Sequence, residues 1–311
     1  MFNYIKKIIQ NIYSEGKTTF GTVESPPHHA NMDTKPLSPE DLKQVLLLKP
    51  KEKEPKQLIV SARQSVGMER DHNEDSIFSL TVNLGNNTGS TLFGFYIVAD
   101  GMGGHLHGEI ASATAVRSMS NHVIKELYNP LFGEKPSIPN ESIAEILKKG
   151  VISAHESILE KTSGGGTTLT SIFILKSQMV ITHVGDSRVY KVDNNGTMEI
   201  LTRDHSLVNR LVELGQITTK EAAVHPQRNV LYRALGQGEP FEPDIITSPL
   251  PETGYLLICS DGLWGVVPKD KIGKTISDMN NPFNASKKLV ELANAAGGPD
   301  NISVILIKLS N

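Results

Sequence analysis

Apolar runs of strand length that occur in groups, with helical stretches paired between them, constrain this chain more than any other feature. The runs LIVSARQS, LFGFYIVAD, TSIFILK, QMVITHVGD, SRVYKVD, GYLLICSD and NISVILIKL are bounded by turn signals and rich in β-branched and aromatic residues. Periodic apolar positions predict helices over residues 107–128 and 140–161, and a second pair over 268–279 and 284–296. Strict alternation of strand and helix would build a doubly wound parallel sheet, whereas grouped elements predict layers of antiparallel sheet flanked by helices. The expected class is α+β, arranged as a sandwich. With 311 residues, 38% of them hydrophobic, the chain is long enough to bury such a core.

The main domain is expected over residues 58–311, preceded by an extension over 1–57. Between Ser14 and Lys56 the chain is rich in Pro, Lys, Ser and Thr and lacks the apolar density that offsets the entropy of ordering, so it reads as a linker. Within it, Ser38 and Pro39 have the form of a helix start, and His28–His29 form a lone pair. At the N-terminus, Ile5, Ile8, Ile9 and Ile12 recur at helical spacing with Lys6 and Lys7 on another face. A short helix docked on protein and a helix lying on a membrane surface through residues 1–13 both fit this pattern. The segment has no secretory signal pattern, and the chain has no run of ~18 apolar residues. A net charge of −3 argues against nucleic acid as a partner. The single cysteine, Cys259, rules out an intrachain disulfide framework and points to the cytoplasm.

Two strands end alike. FYIVAD runs into Gly101 and LLICSD into Gly262, so Asp100 and Asp261 are set at apolar strand ends. An Asp-Gly hairpin would require a second strand at once, but a glycine-rich loop and small-residue helix follow Asp100. Asp75, in DHNED, and Asp300, in GGPDN, complete the set. Carboxylates converging from strand ends would repel each other unless a divalent ion compensates, and an all-oxygen set suits Mg²⁺ or Mn²⁺. Two ions ~3.5–4 Å apart could activate a water for in-line attack on phosphorus. Arg70, four residues before Glu74, is either a fork for phosphate oxygens or an ordinary surface ion pair.

Other chemistries lack their residues. No zinc-finger spacing or H-E-x-x-H motif is present. GGGTT at Gly164 to Thr168 has no P-loop lysine, and Leu106 stands where a dinucleotide fingerprint needs its last glycine. A thiolate phosphatase needs an arginine six positions after its cysteine, where this chain has Gly265, so Cys259 reads as a buried strand residue.

From about Leu58 to Leu309 the chain resembles the protein phosphatase 2C family of metal-dependent serine/threonine phosphatases, in its bacterial form. The resemblance is carried, in order, by SVGMERDHNEDS, VADGMGGHLHGE, GGGTTL, VGDSRVY, LTRDHSLVNRLVELGQIT, NVLYRALG, CSDGLWGVV and GGPDNISVILI. It implies a four-layer α-β-β-α sandwich with two central antiparallel sheets and a metal centre at one end. By position, Asp75, Asp100, the Gly101 carbonyl, Asp261 and Asp300 would bind two core ions, with Glu74 acting through water and Arg70 holding the phosphate. Asp186, with Asp261, would bind a third ion. Residues 204–236 match the family's variable flap, where Asn209, Arg210 and Arg228 are either substrate contacts or plain surface. Eukaryotic members carry His directly after the Asp-Gly pair, where this chain has Met102, so protonation of the leaving alcohol falls to water or to His105. The implied partners are a phosphorylated protein and an opposing serine/threonine kinase, in a signalling role.

Overall fold

The computed structural model describes residues 57–86, 89–103, 106–238 and 241–310. The expected helices at 1–13 and after Ser38, the His28–His29 pair and His105 lie outside the described residues. Two sheets stack face to face. One has the order β1-β11-β10-β7-β8, from β1 (Gln57–Ser65), β11 (Ile302–Ser310), β10 (Gly254–Cys259), β7 (Arg188–Val192) and β8 (Met198–Ile200). The other runs β2-β3-β5-β6-β9, from β2 (Asp75–Asn86), β3 (Gly89–Met102), β5 (Leu169–Leu175), β6 (Gln178–Val184) and β9 (Asp244–Pro249), with β4 (Gly166–Thr167) paired to the end of β3. Every pairing is antiparallel.

Side-chain alternation along β3 explains the layering. Phe93, Phe95, Ile97 and Ala99 point outward to α1 (Leu106–Val123) and α3 (Ile143–Lys161), where they meet Ala115, Met119, Leu147 and Val151. Leu92, Tyr96 and Val98 point inward and meet Ile258, Ile305 and Ile307 of the facing sheet. Behind that second sheet, Tyr255, Leu257, Val304 and Leu306 pack on α7 (Lys269–Met279) and α8 (Pro282–Ala295) through Ile272, Ile276, Leu289 and Ala293. The result is an α-β-β-α sandwich, as the resemblance implies. Cys259 is fully buried at the end of β10, and burial pushes its thiol up to about 12.

Helix boundaries follow local chemistry. The expected helix over 140–161 begins only at Ile143, because Ser142 accepts a hydrogen bond from Glu145 N at 3.2 Å and caps it. The expected helix over 284–296 begins earlier, at Pro282, with Asn281 capping Phe283 N at 2.9 Å. The stretch expected as one helix over 107–128 leaves α-geometry after Val123, passing through a π-turn (Ile124–Tyr128) into α2 (Asn129–Phe132).

Strand order brings one end of the sandwich into focus. β2 starts there, β3, β6 and β10 end there, and β7 and β11 start there. Three links cross between the sheets at this end: residues 66–74, from β1 to β2, residues 185–187, from β6 to β7, and the segment between β8 and β9, which carries the flap.

Candidate metal centre

The acidic residues predicted from scattered segments meet at this end. A cleft of about 560 Å³ is lined by Arg70, Glu74, Asp100, Gly101, Asp186, Asp261 and Asp300, among others. Asp75 does not line it; it lies just beneath the floor, 6% exposed, where Ser260 Oγ donates to its Oδ2 at 2.9 Å.

Each acid is placed by its backbone. Asp75 opens β2 and stands opposite Asp100 in the β2–β3 register. Asp100 is not the last residue of its strand, as the sequence suggested: β3 continues through Gly101 and Met102, which pair with Thr167 and Gly166 of β4. The GGGTT segment, without a P-loop lysine, serves here to clamp Asp100. Asp100 N donates to Thr168 Oγ1 at 2.9 Å, and Thr168 N donates back to Asp100 O at 2.8 Å. Asp261 opens the single-turn helix α6 (Asp261–Trp264), directly after β10. Asp300 precedes β11, accepting Asn301 N at 2.8 Å on Oδ1 and Arg70 Nη2 at 2.8 Å on Oδ2. The Arg70 guanidinium is thus both a lining group of the cleft and half of an ion pair. Burial opposes its charge, but Asp300, Glu74 and Asp100 together raise its pKa.

Glu74 is fixed from three sides. Its N–H donates to Asn301 Oδ1 at 2.7 Å, its carbonyl accepts from Ser112 Oγ at 2.6 Å, and its Oε1 lies 2.9 Å from His72 Nε2. Gly108 is required beside it, because a Cβ there would overlap Glu74 Oε2. Asn301 also donates to Val66 O at 2.8 Å and His72 O at 2.9 Å, so one buried amide shapes the whole 66–74 link. His72, which the sequence reading passed over, lines the cleft between Asp71 and Glu74, and these two carboxylates raise its pKa. Asn301, Thr168 and His72 were visible only as members of motif strings, since their partners lie far away in sequence.

From the flap, Asn229 and Leu231 line the cleft, while Asn209, Arg210 and Arg228 do not. The Asn209 amide is committed to Asp204 O at 2.9 Å and Glu213, and Arg210 reaches Glu213 at 3.3 Å. Asn209 and Arg210 are thus engaged within the flap itself.

The donors suit a hard cation. Asp75 Oδ1 and Asp261 Oδ1 are buried with no hydrogen-bond partner, an arrangement that a bound cation relieves, or a proton when no cation is bound. Burial, together with Asp261 and Asp300, raises Asp75 to about 7; burial and Asp300 raise Asp261 to about 6. Asp100 and Asp186 are likewise raised, by burial and then by neighbouring aspartates. Among the described residues no three acidic, histidine or cysteine side chains close into a preset cage. The donor set is all oxygen, which suits Mg²⁺ or Mn²⁺.

An acid-lined cleft at the end of an α-β-β-α sandwich, with an arginine at its mouth, is suited to a divalent cation beside an anionic group. Residues 63–302 match the model of the family described as Protein phosphatase 2C. The serine/threonine phosphatase stp of Listeria welshimeri is 38% identical over 249 residues, which cover 79% of this chain and 94% of that protein. The crystal structure of the Mycobacterium tuberculosis serine/threonine phosphatase PstP/Ppp matches with a TM-score of 0.68 at 30% identity, covering 82% of this chain and 99% of that one. The catalytic domain of PstP, in complex with two manganese ions, matches with a TM-score of 0.67 at 28% identity, covering 82% of this chain and all of that one. The chain belongs to the protein phosphatase 2C family and is a metal-dependent protein phosphatase.

Proposed function

We propose that this phosphatase hydrolyses phosphoserine and phosphothreonine on proteins. Asp75, Asp100, the Gly101 carbonyl, Asp261 and Asp300 would hold two divalent ions, Mn²⁺ or Mg²⁺, and Asp186 would join Asp261 at a third. The observation that carries the reading is the pair of buried, unpartnered oxygens on Asp75 and Asp261, each in a cluster of like charges. When bound, the ions supply positive charge at the phosphate and lower the pKa of water.

Arg70 binds and orients the substrate. Its guanidinium has five N–H donors, of which Asp300 takes one, and the side chain is 46% exposed at the cleft, so a fork remains for two phosphate oxygens. Glu74, locked by Asn301, Ser112 and His72, would act on the ions through water. Met102 cannot protonate the leaving alcohol, and that proton comes from water. Asn229 and Leu231 contact the peptide beside the phosphorylated residue, which gives the flap a part in substrate choice.

Among the described residues no helix is long and apolar enough to cross a membrane. The setting proposed for it is that of a cytoplasmic signalling enzyme acting against a serine/threonine kinase, on the ground that its single cysteine suits a reducing compartment. For the N-terminal extension, the proposal is that residues 1–13 contact either protein or a membrane surface.

The test is phosphate release from a phosphothreonine peptide by metal-stripped protein resupplied with Mn²⁺ or Mg²⁺, comparing the intact chain with Asp261→Asn. Release that needs the ion and falls by ~10³-fold or more in the variant is expected. Release by the intact chain without any divalent ion, or at an undiminished rate in the variant, would refute the assignment.

A further inference from the structure

We propose that Trp264 is a positioning residue for the metal centre: its indole fixes the separation of Asp186 from Asp261 and ties that separation to the root of the flap. The inference rests on reading these two aspartates as ligands of one ion.

The need for such a device lies in the sheet register. β7 and β10 pair antiparallel, and their last pair at the cleft end is Cys259 with Arg188. Extending that ladder by two residues would set Asp261 opposite Asp186. The ladder stops first, because α6 begins at Asp261 and turns the chain away. Trp264 lies three residues on in the same turn, so its ring returns over the gap. Its Nε1–H donates to the Asp186 main-chain carbonyl at 3.1 Å, making the cross-connection that the ladder no longer provides.

The ring is itself clamped. The Arg188 guanidinium carbon lies 3.5 Å from the ring centroid, and Arg188 donates to Asp204 through Nε at 3.0 Å and Nη2 at 2.6 Å. Asp204 is the first flap residue. The second, His205, grips Gly185 twice: His205 N donates to Gly185 O at 2.7 Å, and Gly185 N donates to His205 Nδ1 at 3.2 Å. Asp186 is therefore held from behind by the flap root and from the side by the indole. Movement of the flap reaches it through the Asp204–Arg188–Trp264 chain of contacts.

A packing role alone would not need the indole N–H, so Trp264→Phe, which keeps a ring for Arg188 to cover, separates the two. Metal-stripped full-length protein is titrated with Mn²⁺ by calorimetry as wild type, Trp264→Phe and Asp186→Asn. Because Trp264 is the only tryptophan, its emission is followed in wild type and Asp186→Asn. Trp264→Phe should weaken the weakest Mn²⁺ binding event roughly tenfold while leaving the tighter events within about twofold. Wild-type emission should change over the concentration range of that weak event, and the change should vanish in Asp186→Asn.

Unchanged Mn²⁺ affinities in Trp264→Phe, with the weak event lost in Asp186→Asn, would overturn the positioning role and leave the ligand reading standing. Wild-type binding in Asp186→Asn would overturn both. Equal weakening of all events in Trp264→Phe would show a general packing defect and count against the proposal. If that variant does not fold, the emission arm decides: a response that persists in Asp186→Asn at the same midpoint overturns it.

Discussion

Asp100 and Asp186 face the same cleft but are held there by different means. Asp100 stands in the middle of hydrogen-bonded backbone, opposite Asp75 in the β2–β3 ladder and gripped by Thr168 on its far side. Asp186 sits in a short link between two sheets, where no ladder reaches it, and side chains from the flap root and α6 hold it. A site set by register tolerates change in its surroundings, because every neighbouring pair helps to define it. A site set by a few side-chain hydrogen bonds changes with each of them, and can in turn be adjusted by whatever moves those side chains.

The largest expected effect tests the charge of the cleft through Asp75, inside a ladder, and Asp261, just beyond the end of one. Asp75 and Asp261 are raised to about 7 and about 6 in the folded, metal-free protein, so that state binds protons more tightly than the unfolded chain. The stability linked to those protons is fully present below about pH 4 and is lost as pH rises through the folded values, on the order of a few kcal/mol. Mn²⁺ replaces the lost protons. The gap in Tm between Mn²⁺-loaded and chelator-treated protein should therefore widen from pH 5 to pH 8, and Asp100→Asn should narrow it at pH 8. A gap independent of pH would mean that the carboxylates do not share the burden assigned to them.

The loop side should be more sensitive to its supports. His205, 1% exposed, bonds Gly185 through Nδ1 and Asp244 through Nε2 at 3.1 Å, so His205→Ala should cost ~2–3 kcal/mol in denaturant unfolding. Ser76→Ala, which removes a hydroxyl beside the ladder at 3.0 Å from Ser112 Oγ, should cost less than about 1 kcal/mol. Equal costs would erase the distinction between the two sides. The smallest effect belongs to the outer flap: Arg210→Ala, whose partner Glu213 keeps Arg203, should change kcat/KM on a phosphopeptide by less than about twofold.

The sequence exposed the ladder side more readily than the loop side, for physical reasons. Asp100 and Asp261 follow long apolar runs and precede glycine, a pattern that local chemistry explains. Their meeting with Asp75 and Asp300 depends on pairings across distant segments and was expected from the carboxylates themselves, whereas Asp186 was anticipated only by the motif resemblance. β2 escaped notice as a strand because it is an edge strand with alternating exposure, SIFSLTVNLG, and no continuous apolar run. β4 is too short to leave a periodic signal at all. Asn301, Thr168 and Trp264 act through hydrogen bonds to residues tens of positions away, so their composition and spacing carried no sign of their roles.

The buried position of Cys259 has a consequence for oxidative conditions. Phosphatases that use a thiolate nucleophile depend on the one group that peroxide attacks first. Here the sole sulfhydryl is sealed at the end of β10 and kept protonated, and the groups that would hold the ions are carboxylates, which leaves the Met102 thioether as the oxidisable sulfur among the described lining residues. Its dephosphorylating activity has no redox-sensitive thiol to lose, and so can persist when oxidants silence cysteine-dependent enzymes around it.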